Sequence, residues 1–141
     1  MTNNIVELPG QRYRMLMEIE ELSNREKQLK EWHLANRSDG FWYGIDGATD
    51  FLLEELTMRD RFQDEVKIVF KSYEEMVYVH FLIECLQKII DKIGIKQPDS
   101  SYLISPLWDD VVEAAKHAYE VLMKDEDLDA LLEAEEKRIV E

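Results

Sequence analysis

A chain of 141 residues with 45% apolar side chains is the right size for one domain, with a core that needs no disulfide or metal to close it. Its 31 acidic side chains against 17 Lys and Arg leave a net charge of −14, which argues against direct binding to nucleic-acid phosphates or anionic lipid surfaces. The single cysteine, Cys85, excludes an intramolecular disulfide and sits in an apolar run, where it reads as a small core residue.

Residues 1–10 read as a loose N-terminal arm. They carry neither the basic nor the apolar region of a signal peptide. No apolar run reaches the ~18 residues of a membrane span, and the longest, Met76 to Ile93, is broken by His80, Glu84, Gln87, Lys88, Asp91 and Lys92. A cytoplasmic location is the expectation. A long helix is predicted over Gln11 to Ala35, with Tyr13, Leu16, Met17, Ile19, Leu22, Leu29 and Trp32 on its apolar face. Ser23-Asn24 marks a break within it, since both residues favour caps over helix interiors.

Phe41-Trp42-Tyr43-Gly44, followed by Asp46-Gly47, makes an aromatic connection. Thr49 or Asp50 then caps a short helix over Phe51 to Met58 with Leu52, Leu53 and Leu56 inward. Val66, Ile68 and Phe70 alternate with Lys67, Val69 and Lys71, a pattern that fits either an extended segment or a helix lead-in. Ser72 and Glu75 have the spacing of a capping box, in which Ser72 accepts from the Glu75 amide and Glu75 reaches back to the Ser72 N–H. The helix behind it keeps Met76, Val79, Ile83, Leu86, Ile90 and Ile93 on one face, widened by Val77, Phe81, Leu82, Cys85 and Ile89. That pattern predicts a central helix buried nearly all round, ending at Gly94.

A loop over Ile95 to Ile104 leads to Ser105-Pro106, a cap followed by a proline at the first helical position. Asp109 and Asp110 fall in the first turn, where carboxylates favour the positive end of the helix dipole. Trp108, Val111, Val112, Ala115, Ala118, Tyr119 and Leu122 form the apolar stripe, and Ala114, Ala115 and Ala118 permit close packing on a neighbour. A last charged helix over Asp127 to Val140 buries at most Leu128, Leu131, Leu132 and Ile139, and either frays or docks on a partner. The fold expected is all-α: a single-domain bundle of four or five helices around a central buried helix, with at most one short extended segment. Its organisation reads as an arm at 1–10, a helical domain at 11–123 and an acidic helix or tail at 124–141.

The charge is uneven. Residues 1–38 balance six acids with six bases, whereas 39–70 and 124–141 each hold eight acids and three bases. The first acidic zone also holds the aromatic cluster, and Trp and Tyr are frequent interface anchors. Trp42, Tyr43, Asp46, Asp50, Glu54 and Glu55 are therefore the candidate partner-binding residues, facing a basic protein. The plainer reading folds the rings onto the core and leaves the acids to keep the protein soluble.

HExxH, CxxC, GxGxxG, P-loop and GxSxG patterns are all absent. His80 has Glu84 four residues on, and His117 has Glu113 and Glu120 at helical distance. No Glu-x-x-His occurs, however, and ordinary helix-surface pairs account for these spacings. Adjacent acids on a helix point about 100° apart and make poor catalytic pairs. No enzyme, cofactor or metal is expected.

Trp32, Glu54-Glu55, the Ile68-Val69-Phe70-Lys71-Ser72 stretch with Glu75, and Tyr102-Leu103-x-x-Pro106-x-Trp108-x-x-Val111-Val112-x-x-Ala115 together resemble a family of small, uncharacterised, acidic bacterial cytoplasmic proteins. The resemblance spans about residues 11–122 and leaves the acidic tail outside. By analogy it implies an immunity-like protein that neutralises a secreted toxin; it supplies no site residues. The function expected is an acidic protein-interaction module, an immunity or inhibitor protein binding a basic partner. The alternatives are a regulatory or structural helical protein, including a homo-oligomer, and a carboxylate-dependent hydrolase.

Overall fold

The computed structural model describes residues 6–32, 49–56, 68–94 and 99–140. They form a single, mostly helical domain. Helix α1 (Pro9–Ser23) starts two residues earlier than periodicity suggests, because Pro9 supplies the fixed φ of a first helical position. Of the expected arm, residues 1–5 lie outside the described residues; Val6 is buried, and the Leu8 N–H donates to the Ile68 carbonyl at 2.9 Å. Arg12, Met15, Leu16, Ile19 and Leu22 make up the buried face of α1.

The expected break after Ser23 is present. The Asn24 side chain accepts from the Lys27 N–H at 3.1 Å and opens α2 (Arg25–Lys27), which widens into a π-helical stretch, π1 (Gln28–Trp32). A π turn holds an extra residue and shifts the phase of everything after it. The change of face comes earlier: the interruption at Asn24 restarts the helix in a new phase, so Gln28 points inward and Leu29, expected on the buried face, is exposed. The Trp32 side chain lies outside the described residues. A second π stretch, π2 (Thr49–Leu56), buries Phe51 and Leu52, with the Arg14 guanidinium 4.8 Å from the centre of the Phe51 ring.

Residues 68 and 69 form a turn, and Val69 and Phe70 are buried in succession, so no alternating strand face exists over 68–70. Helix α3 (Tyr73–Ile93) is capped as expected at Ser72, whose Oγ accepts from the Glu75 N–H at 3.3 Å. The return half of the box differs: the Glu75 carboxylate accepts from the Lys71 N–H, at 2.7 Å. Gly94 closes α3 with φ 104°, a conformation that costs glycine little and any other residue more. The following segment contains a short helix, α4 (Asp99–Leu103), where only a loop was expected. Buried Tyr102 ties it back by donating from its hydroxyl to the Gly94 carbonyl.

Helix α5 (Pro106–Met123) starts at Ser105-Pro106, with Ser105 Oγ accepting from the Leu107 N–H at 3.2 Å. It packs against α1 on one side and α3 on the other. Among the described residues α5 is the helix that packs on both α1 and α3, where periodicity pointed to α3 as the helix the others pack around. Buried Ala114, Ala115 and Ala118 explain how: small side chains let two neighbours approach one helix closely. On α3, Met76, Val79, Leu82, Ile83, Leu86 and Ile89 are buried, but Tyr73, Val77 and Phe81 are 64%, 46% and 58% exposed. The expectation that α3 is buried nearly all round is thus corrected; one of its faces has no neighbour among the described residues.

Asp125 takes the left-handed backbone (φ 60°) that reverses the chain after α5. Helix α6 (Leu128–Val140) follows and packs along α1. It buries Leu131 and half-buries Leu128, while Leu132, Ile139 and Val140 remain exposed. The charged C-terminal helix thus docks on its own chain, with fewer apolar anchors than expected. No helix among the described residues is long and apolar enough to cross a membrane.

Candidate functional site

Of the six sequence-predicted partner-binding residues, Trp42, Tyr43 and Asp46 lie outside the described residues. Asp50, Glu54 and Glu55 belong to π2, but their side chains are not among those described. His33 and residues 57–67 also lie outside. The described residues offer two charged features instead, one closed and one open.

The closed one is centred on Arg12, whose side chain is fully buried. Its position is set by α1: Arg12 falls three and four residues before Met15 and Leu16, on the inward stripe. All five guanidinium N–H groups are used. Nη1 and Nη2 donate as a fork to the two Glu75 carboxylate oxygens at 2.8 and 3.0 Å. Nε donates to Glu126 Oε1 at 2.7 Å, and the remaining two donors reach the Val69 carbonyl at 3.0 Å and the Leu122 carbonyl at 3.2 Å. Lys71 Nζ lies 3.2 Å from the same Glu126 oxygen. Two cations and two carboxylates thus balance. Burial alone pulls the Arg12 guanidinium toward neutrality, but Glu75 and then Glu126 more than reverse this and raise its pKa above the usual arginine value. The cluster joins α1, the 68–71 turn, α3 and the α5–α6 turn. With every donor spent, it is built to hold these elements together and has no proton to exchange.

A neutral link lies at the other end of α1. Trp108 Nε1 donates to Gln28 Oε1 at 2.8 Å, and Gln28 Nε2 donates to the Glu21 and Leu22 carbonyls, both at 2.8 Å. A buried amide thus satisfies both the indole and the end of α1.

The open feature is a cleft of about 360 Å³ between α3 and α5. Phe81 and Cys85 from α3 and Leu107 and Ala114 from α5 give it apolar walls. Glu84, Asp110 and Glu113, with Lys88 and His117, line the rest. Burial, then the negative field of Asp110, pushes the Cys85 thiol above its ordinary pKa; Lys88 opposes this and Glu84 adds to it. A thiol shifted that way is a poor nucleophile at neutral pH. His80 Nδ1 stands 3.8 Å from Glu84 at the exposed side of α3. Among the described residues no group of three or more His, Cys, Asp or Glu is placed to hold a metal ion.

Sequence reasoning put Phe81, Val77 and Cys85 in the core because all three are apolar. The missed signal is that Tyr73, Val77 and Phe81 repeat every four residues on an arc apart from the Met76–Val79–Ile83 stripe. Arg12 was missed because only apolar residues were used to trace the buried face, although its phase on α1 is that of the buried residues.

The chain belongs to the family described as "Domain of unknown function (DUF7945)", whose pattern matches residues 6–130. No curated protein matches it. No solved structure matches it either.

Proposed function

We propose that this DUF7945 chain is an acidic protein-interaction module that binds a basic protein partner, with an immunity or inhibitor protein as its most concrete form. The reading rests on one observation. The buried ionic cluster of Arg12, Lys71, Glu75 and Glu126 is neutral within itself, so the net −14 belongs to the charges outside it. Among the described residues the buried charge is spent on architecture, and Glu74, Glu84, Asp109, Asp110, Glu113 and Glu133 are exposed, where acids steer and select a positive partner. The raised thiol pKa of Cys85 and the saturated Arg12 favour binding over nucleophilic catalysis. A cytoplasmic, bacterial setting belongs to the same proposal.

The test is association with purified partners retrieved from the source cell. Binding to a protein of high isoelectric point is expected, and raising salt should weaken it mainly through a slower on-rate. A partner that is itself acidic, held equally at low and high salt, contradicts the reading.

A further inference from the structure

We propose that the α3–α5 cleft and the Tyr73–Val77–Phe81 stripe form one continuous groove that receives a basic amphipathic helix of a partner protein. The inference rests on the reading above and gives it a place and a shape. Side chains four apart on a helix lie in a row, and these three are 64%, 46% and 58% exposed. Phe81 belongs to both features, ending the stripe and walling the cleft. At 1.5 Å rise per residue, Tyr73 to Lys88 spans about 22 Å, the length of a helix of about 15 residues.

The chemistry of the rim selects the occupant. Glu84, Asp110 and Glu113 outnumber Lys88 in the lining and Lys116, whose Nζ lies 3.7 Å from Glu113 outside it, and exposed Glu74 sits beside the stripe. A helix with leucine or phenylalanine at i, i+4 and i+7, flanked by lysine or arginine, satisfies the apolar floor and the acidic rim together. A second copy of this chain would bring an identical acidic rim against the first, and like charges facing each other oppose that pairing.

The experiment uses the full chain and a labelled helical peptide of about 16 residues with leucines on one face and lysines on the other. A leucine/glutamate peptide and a lysine/serine peptide of the same length serve as comparisons. Binding is read by anisotropy and by the alkylation rate of Cys85, the chain's one cysteine and a wall of the groove. The leucine/lysine peptide should bind and slow alkylation, and V77S/F81S should weaken its affinity by roughly tenfold or more. Equal binding to V77S/F81S without protection of Cys85 overturns the groove and leaves the basic-partner reading standing. Equal binding of the leucine/glutamate peptide overturns the choice of a basic occupant. Failure of both lysine peptides to bind counts against the groove and the basic-partner reading together. A dimer that dissociates in V77S/F81S makes a second copy the occupant and overturns the proposal.

Discussion

The Arg12 cluster and the α3–α5 cleft are built partly from the same helix, yet they treat charge in opposite ways. In the cluster every donor of the guanidinium has an acceptor, the carboxylates are paired, and Arg12 itself is fully buried. In the cleft three carboxylates and one ammonium line an apolar floor that stays open. The contrast shows how to divide the charges of an acidic protein. Those that are satisfied internally specify how the elements meet, and those that are not are available to something else.

The comparison breaks hardest at Arg12. Arg12→Ala strips Glu75 and Glu126 of their main partner inside a closed site, and about 3–5 kcal/mol of unfolding free energy should be lost in a denaturant titration. An Arg12/Glu75 double-mutant cycle should return a coupling of roughly 1–3 kcal/mol; additive effects would mean that the fork is not the unit. The neutral link comes next. Gln28→Leu orphans the Trp108 indole N–H, takes a donor from the Leu22 carbonyl and leaves the Glu21 carbonyl only the Asn24 N–H, and should cost about 1–3 kcal/mol by thermal unfolding.

A weaker effect is expected where α6 meets α1. The Glu135 carboxylate accepts the Gly10 N–H at 3.0 Å near the start of α1 and pairs with Arg138. Arg138, then the Gly10 N–H, holds its pKa below the usual carboxylate value against the opposing effect of desolvation. A depressed folded pKa gives stability that is present above the unfolded value and lost as pH falls through the folded one. Amide-exchange protection in α6 should therefore drop on acidification in that acid range, and Glu135→Gln should remove this pH dependence. An unchanged pH profile in Glu135→Gln would show that the carboxylate does not hold the helix. The smallest change in stability belongs to the cleft: Phe81→Ser should shift it by no more than about 0.5 kcal/mol, because the ring is already largely in solvent. A large loss there would make Phe81 a packing residue and erase the distinction between the two regions.

Much of this molecule was legible because its signals are local. Asn24, Ser72, Gly94 and Ser105-Pro106 end or begin helices through bonds to residues within four positions, and each did so as read. The Arg12 cluster was not legible in the same way: its partners Glu75 and Glu126 lie 63 and 114 residues away, and nothing local pairs them. The interruption at Asn24 reversed the roles of Gln28 and Leu29, because periodicity assumes an unbroken α-helical phase. Apolar count alone placed α3 at the centre; the alanines of α5 decided which helix two neighbours approach. The aromatic–acidic zone at Trp42 was read from composition, and Trp42, Tyr43 and Asp46 lie outside the described residues. The exposed stripe on α3 went unread because the same apolar residues that build a core can also line a groove.

The most direct test of this division of charge is an amide NMR spectrum of the full chain titrated with the leucine/lysine peptide. The account predicts shifts concentrated at Val77, Phe81, Cys85, Asp110 and Glu113, with Arg12 and Glu75 left unmoved. Shifts spread evenly over the acidic residues, or centred on α6, would contradict it.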